Sequence, residues 1–382
     1  MKPDPVEIST TPDEAVLRSV ERALADLRRG LPVVVERADG QAALVQAAEL
    51  ISDKSLKTLS SLAGREPLLI LTARRAAALG ITKVEPLRAA GGVIALSLSG
   101  RCADRVVELS DPAKEKTARI RRQTLASAPD SLDVGAVDLA KLARLLPAAL
   151  LAPLRSLDGE TPCQWAAAND LFRVTAAEVA AYRLAAARAL SPVAEARVPL
   201  LGAENTRIVA FRPDDGGIEH LAMIIGDPGA NEPVLVRLHS ECFTGDLLAS
   251  LRCDCGDQLR GAIEAIAAAG AGVVLYLTQE GRGIGLVNKL RAYALQDRGA
   301  DTAEANETLG FDADERVYLP AAEMLRQLGF SRVRLLTNNP DKVKALAHCG
   351  ISIEERVPHS FPSNGHNEFY LATKATRFGH LF

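Results

Sequence analysis

Apolar residues in this chain fall into two kinds of stretch. Pro32 to Glu36 (PVVVE) and Leu68 to Thr72 (LLILT) are short unbroken runs that predict buried strands. Around them, Asp13 to Arg29, Val137 to Leu150 and Thr175 to Leu190 are rich in helix formers and predict helices. The alternation predicts an α+β (mixed α/β) layer fold. Ser191-Pro192 should stop the last of these helices and marks a domain boundary. Beyond it, Arg207 to Phe211, His220 to Ile225, Val234 to Leu238, Val273 to Leu277 and Val333 to Leu336 predict strands. Gln258 to Ala268, Gly285 to Gln296 and Lys342 to His348 predict the helices between them. No internal repeat or low-complexity tail interrupts the pattern.

At 382 residues the chain is long for one domain and suits two or three. Its 45 basic and 48 acidic side chains give a net charge of −3, which argues against a nucleic-acid binder. No apolar run is long enough for a membrane span, and Met1-Lys2-Pro3-Asp4-Pro5 lacks the apolar segment of a signal peptide. Six cysteines are too sparse for a disulfide scaffold, so they are expected reduced in a cytoplasm. Their distribution narrows the search. All six histidines, four of five tyrosines and four of six cysteines lie beyond residue 219. Near-neutral acid–base and metal chemistry draws on these residues, so chemistry is expected in the second half. Alanine-rich drift in the first half would thin out rare residues as well.

Cys242, Cys253 and Cys255 form the sharpest cluster. Thiolates are the soft ligands zinc prefers, and a C-x-C pair can aim two sulfurs at one point. Three ligands leave a fourth position for water, whose pKa the metal lowers, so the spacing reads as an open catalytic site. Three unrelated buried cysteines, or a closed site completed by His239, are the alternatives. Gln279-Glu280-Gly281-Arg282-Gly283-Ile284-Gly285 follows a predicted strand and opens a helix, where backbone N–H groups can meet phosphate. Its G-x-G-x-G spacing misses the dinucleotide fingerprint, and an ordinary turn fits equally well. Leu336 to Lys342 (LTNNPDK) is a second loop of this kind, in which Thr337 and Lys342 could hold phosphate or ribose oxygens or simply belong to a helix cap. Asp312, Asp314, Glu315 and Arg316 taken alone read as solvated surface.

Taken in order, VRLHSECFTGD, RCDCGDQL, QEGRGIGLVNKLRAYALQDRGADTAEAN, LGFDADER, LLTNNPDK and the closing GHLF resemble GTP cyclohydrolase II of riboflavin biosynthesis, over about residues 194–382. The resemblance implies hydrolysis of GTP to 2,5-diamino-6-(5-phosphoribosylamino)pyrimidin-4-one, formate and pyrophosphate. It implies one Zn2+ per subunit on Cys242, Cys253 and Cys255, and Mg2+ with the GTP triphosphate. GTP contacts carried over by position are Arg237, Leu238, His239, Ser240, Glu241, Gln258, Glu280, Gly281, Arg282, Thr302, Thr337 and Lys342. Asp314 resembles the proton acceptor, Arg316 the residue assigned as nucleophile at the α-phosphorus, and Tyr293 a tyrosine near the metal-bound water. A guanidinium stays protonated in water, so charge stabilisation is the simpler role for Arg316. The family also implies a cytoplasmic homodimer, with neither nucleic acid nor membrane as partner.

Residues 1–190 resemble in outline 3,4-dihydroxy-2-butanone 4-phosphate synthase, often fused ahead of the cyclohydrolase. Ala23 to Glu36 looks like its opening helix and strand, Gly135 to Leu150 like a late helix, and Asp158-Gly159 like a following turn. Where that family carries an acidic magnesium loop, Arg37 to Ala43 (RADGQAA) stands. Where it carries His-Thr-Glu, Leu132-Asp133-Val134 stands. Those changes remove the metal-binding and proton-moving groups, so this domain is expected to be inactive. Two further functions stay open on sequence alone: GTP ring opening for another pathway, and a non-catalytic GTP-binding regulatory protein.

Overall fold

The computed structural model describes residues 12–81, 92–98, 102–114 and 131–381, apart from 156, 158, 215 and 230. The start at Met1–Pro5 and Asp158 of the expected turn lie outside them. Among the described residues two mixed sheets draw on separate stretches of chain.

The first sheet contains β1 (Val33–Glu36), β2 (Ala42–Ala47), β3 (Leu68–Thr72), β4 (Val93–Ser97), β5 (Ala148–Pro153) and β6 (Arg173–Thr175), ordered β4-β3-β5-β2-β1-β6. Both of its faces are covered, which is why these strands are nearly continuous apolar runs. Leu44, Leu69, Leu71 and Leu150 face the helices Asp53–Ala63, Ala73–Ala78 and Ala103–Ser110. Val33, Val35, Val45 and Ile70 face Pro12–Arg28, Leu132–Leu142 and Ala176–Arg188.

The second sheet contains β7 (Leu190–Arg197), β8 (Thr206–Pro213), β9 (His220–Ile225), β10 (Val234–Ser240), β11 (Gly272–Leu277), β12 (Arg332–Leu336) and β13 (Ser352–Val357). Their order is β13-β12-β10-β11-β9-β8-β7. β10 runs parallel to both β11 and β12, pairing Arg237 with Val274 and His239 with Tyr276. The mixed α/β fold class is therefore as expected.

Two expectations are corrected. The helix expected over Val137 to Leu150 is Leu132–Leu142, and Ala148 to Leu150 belong to strand β5. Arg144 leaves helical geometry at φ 60°, Pro147 cannot continue a helix, and the apolar run that follows pairs between β2 and β3. Nor does Ser191-Pro192 end a helix. The helix Ala176–Arg188, capped by Thr175 with Glu178 closing the capping box, stops earlier, and β7 runs through the Ser-Pro pair. Proline is tolerated there because β7 is an edge strand, and the register shifts between Pro192 and Ala194.

Candidate active site

The carboxyl ends of the parallel strands β10, β11 and β12 open into one cavity, the place where sheets of this kind collect ligands. Side-chain alternation on β10 decides what faces it. Val236 and Leu238 point into the apolar core, whereas Arg237 and His239 point into the cavity. The expected Arg237, His239, Ser240, Glu241, Gln258, Glu280, Gly281, Arg282, Tyr293, Thr302, Arg316, Thr337 and Lys342 all line it, together with Cys242, Cys253 and Cys255. Leu238 and Asp314 do not. The Leu238 side chain is core, and only its carbonyl is engaged, accepting from Lys342 Nζ at 2.9 Å. Asp314 stands behind Arg316 and pairs with it.

The three cysteine Sγ atoms lie within 4.8 Å of one another, with Cys242 and Cys253 3.7 Å apart. A tetrahedral ion with bonds of about 2.3 Å to sulfur sets its sulfurs about 3.8 Å apart, so the donors fit one zinc-sized ion. Among the described residues this trio is the ligand cluster, and His239 is not part of it. His239 Nε2 is engaged by the Asp246 carboxylate at 3.0 Å. Asp246 also accepts from the Tyr276 hydroxyl at 3.0 Å and the Cys242 N–H at 2.9 Å, which fixes the ligand loop. A single π-helical turn, Phe243–Leu247, carries the chain past the sulfurs. A Cβ on Gly245 would stand 2.8 Å from Cys253 Sγ and 3.0 Å from Cys242 Sγ, so only glycine fits.

The sulfurs are unequal. Hydrogen bonds from Cys253 and Cys255, then Lys289, pull the Cys242 thiol far down. Contact with Cys242 pushes Cys253 up to about 11, and Cys255 also rises. The Lys289 ammonium donates to Cys242 Sγ at 3.1 Å, Thr244 Oγ1 at 3.0 Å and Glu280 at 2.8 Å.

The same cavity is lined by the basic residues Arg237, Arg282, Arg316 and Lys342. Burial lowers Lys342 well below its usual range and lowers Arg237 to about 10. Arg316 is different: although burial pulls it down, Tyr318 and Asp314 raise it further, so it stays a cation. Burial pushes the Asp314 carboxyl up, but the Arg316 charge and hydrogen bonds hold it below the ordinary range. Arg237 Nε, His239 Nδ1 and Ser240 Oγ are buried polar atoms without a hydrogen-bond partner. Buried polar groups are rarely left unpaired, so the end of β10 is built to receive a polar ligand. The loop after β11 bends through positive φ at Gly281 (62°), Arg282 (65°) and Gly283 (95°). That turn lays the Arg282 guanidinium over the Phe378 ring at 3.8 Å.

Several residues of the cavity were not singled out from sequence. Lys289 and Tyr293 share a helix face one turn apart, a spacing that would have revealed the lysine. Tyr370, Lys374 and His380 come from the last helix, Glu368–Phe378, and the residues just after it. Lys374 reaches Asp254, between two ligand cysteines, at 2.5 Å. No local pattern signals a contact across 120 residues.

The family model for GTP cyclohydrolase II matches residues 191–358. A GTP cyclohydrolase-2 of Azospirillum brasilense is 58% identical over 99% of this chain and 97% of its own length. One from Xylella fastidiosa is 37% identical over 94% of this chain and 86% of its own length. One from Aeromonas hydrophila is 55% identical but covers 50% of this chain and 96% of its own length. Among solved structures, RibBX, a two-domain 3,4-dihydroxy-2-butanone 4-phosphate synthase from A. baumannii, aligns over 90% of this chain and 99% of its own. That alignment is 18% identical with a TM-score of 0.36, too remote to argue from. Full-length identity and the matched domain agree: the chain belongs to the GTP cyclohydrolase II family.

Proposed function

We propose that this chain hydrolyses GTP to 2,5-diamino-6-(5-phosphoribosylamino)pyrimidin-4-one, formate and pyrophosphate, the entry step of riboflavin biosynthesis. The observation that carries the reading is a single cavity lined both by a cysteine trio and by Arg237, Arg282, Arg316 and Lys342. The thiolates of Cys242, Cys253 and Cys255 would hold zinc, which would supply an activated water for a poor electrophile. Lys289 offsets the excess negative charge of three thiolates around a divalent ion. Arg237, Arg282, Arg316 and Lys342 bind the triphosphate and stabilise the departing diphosphate, and Mg2+ would add charge there. Ser240, His239 and Arg237 offer unpaired polar atoms to the base or ribose. Asp314 keeps Arg316 charged and oriented, so Arg316 acts as charge stabiliser; a trapped phosphoguanidine adduct would contradict that role.

We infer that the first half, residues 1–190, lacks the synthase's chemistry. Arg37 and Asp39 pair with each other in the turn after β1, and Leu132, Asp133 and Val134 form a first helical turn carrying no metal-binding histidine. Incubation with ribulose 5-phosphate and magnesium should yield no dihydroxybutanone phosphate. The catalytic half, residues 194–382, pairs with a second copy. Leu247, Leu248, Leu251, Val287 and Leu290 are exposed beside the metal loop and supply apolar surface for that contact. Light scattering should return a dimer mass.

The direct test is incubation of the purified chain with GTP, zinc and magnesium. Formate and the diaminopyrimidine are expected in equal amounts; GTP recovered intact would overturn the reading.

A further inference from the structure

Glu315 stands between Asp314 and Arg316 in a segment, residues 311–318, that forms neither helix nor strand. Asp314 and Arg316 pair with each other, and Arg316 lines the cavity. The Glu315 carboxylate leaves the site altogether. It meets Lys141 Nζ at 2.6 Å, with Arg183 at 3.9 Å, and the Glu315 and Lys141 side chains are 9% and 14% exposed. Lys141 lies on the helix Leu132–Leu142 and Arg183 on Ala176–Arg188, so both come from the first half. Asp138 shares the cluster and faces Lys141, Arg183 and Glu315.

The same segment is gripped again upstream. Arg74 bridges Glu307 at 2.7 Å and Asp312 at 3.2 Å, while Thr72 Oγ1 donates to the Gly310 carbonyl at 2.6 Å. Arg75 donates to the Thr308 carbonyl at 3.2 Å. From its own half the segment is tied by Glu315 N to the Arg282 carbonyl at 3.0 Å and by Gln279 to the Val317 carbonyl at 2.6 Å. Neighbouring site elements are held likewise. Arg144 donates to the Thr278 carbonyl at 3.1 Å, and Arg291, on the helix of Lys289 and Tyr293, pairs with Glu49 at 2.8 Å.

We propose that the first half is a positioning scaffold for the cyclohydrolase site: Lys141, with Arg183, acts through Glu315 to hold Arg316, backed by Asp314, at the cavity. The inference rests on the cyclohydrolase reading above and assigns a task to a half that has no chemistry of its own. Within the segment, Asp312 N–H donates to the Glu315 carboxylate at 3.0 Å and Arg316 N–H to the Asp314 carboxylate at 3.0 Å, and Lys141 adds a charged anchor from outside. Glu315 points to the first half while its neighbour Arg316 lines the cavity, so pinning Glu315 fixes the backbone from which Arg316 projects. Removing Lys141 leaves the Glu315 carboxylate poorly compensated near Asp138, and the segment relaxes.

The experiment uses the full-length chain with Lys141→Ala, Lys141→Arg, Glu315→Gln and the double variant Lys141→Ala/Glu315→Gln. Displacement of a catalytic group by a fraction of an ångström to an ångström costs about tenfold to a hundredfold in rate. Lys141→Ala should therefore lower kcat for formate release at least tenfold, with zinc content and KM for GTP held within about twofold. Lys141→Arg should restore most of the rate, and the double variant should be no worse than either single one, because both act through one contact. Hydrogen exchange over residues 311–318 should quicken in Lys141→Ala. Wild-type kcat and unchanged exchange in Lys141→Ala would overturn the proposal. So would additive losses in the double variant, or parallel loss of kcat, GTP affinity and zinc, which marks general unfolding. A wild-type chain that releases no formate sinks the cyclohydrolase reading instead, and the exchange measurement then decides the scaffold by itself.

Discussion

β5 and β10 are both interior strands, and each is the third in its sheet's order. From Ala148 to Ala152, β5 is wholly apolar and buried; at the same depth β10 carries Arg237 and His239. Burying a charged or polar group without full compensation costs several kcal/mol, so a fold keeps such groups where they do something else. In the first half, the buried polar side chains among the described residues, Gln46, Ser60, Thr72, Arg75, Ser110, Asp111 and Ser131, line none of the cavity described above. In the second they gather around one cavity, including Arg237, His239, Glu280, Lys289, Asn338 and Lys342. The first half is packed for stability, and the second gives some of that up for a site.

The comparison can be broken most sharply at the sulfurs. Cys253→Ser should lower ring opening on the order of a thousandfold, since metal-ion activation is worth several kcal/mol. GTP binding, measured by calorimetry, should persist through the basic residues of the cavity. A variant that opens GTP at the wild-type rate would remove the site from the second half.

Gly245→Ala comes next. Its Cβ would press on Cys253 and Cys242 Sγ, so the donors must spread. Metal affinity in a chelator titration should fall by about tenfold or more, comparable to the loss of a supporting contact at a metal site. Unchanged affinity would mean that the tight fit around the sulfurs does not set the ligand geometry.

The histidines give a smaller, pH-dependent effect confined to the second half. Burial, with Arg144 adding to it, pushes His220 down to about 4, and its Nδ1 accepts from Thr278 N–H at 3.1 Å. Burial likewise lowers His359 to about 4 and His380 to about 3. A histidine held neutral in the fold but protonated below about 6.5 when unfolded stabilises fully above that pH. The contribution is lost as pH falls from about 6.5 toward 4. Each such group contributes at most about 1.4 kcal/mol per pH unit, so His220→Gln should flatten the decline of Tm between pH 7 and 5. An unchanged slope would show that His220 titrates normally in the fold.

The least effect is expected in the exposed turn after β1. Arg37→Ala or Asp39→Ala removes one half of an exposed pair and should alter stability and GTP ring opening by less than about twofold. A larger loss of ring opening would mean that this turn also serves the cyclohydrolase.

Legibility from sequence followed the same division. The interior strands of the second half were read nearly residue by residue, because buried apolar runs carry their own signal: His220 to Ile225 matches β9 end to end. β7 escaped because an edge strand is exposed, and its Ser-Pro reads as a helix stop. β5 escaped because Ala-Ala-Leu-Leu suits a helix as well as a strand until Arg144 and Pro147 turn the chain. At the site, the cysteines were legible from spacing, the loops at Gln279 and Thr337 from their place between strand and helix, and the other cavity contacts from resemblance to a family. Lys374 on Asp254 and Lys141 on Glu315 were invisible, since each pair is joined only by the fold. Glu315 shows the limit clearly. Its acid-rich stretch reads as solvated surface, yet its side chain is closed in by the first half.

Metal content by elemental analysis of the full-length chain tests the central claim most directly. Co-location of three sulfurs on one ion predicts one zinc per chain in the wild type and close to none in Cys253→Ser. A wild-type chain that binds no zinc, or a serine variant that keeps its full share, would contradict it.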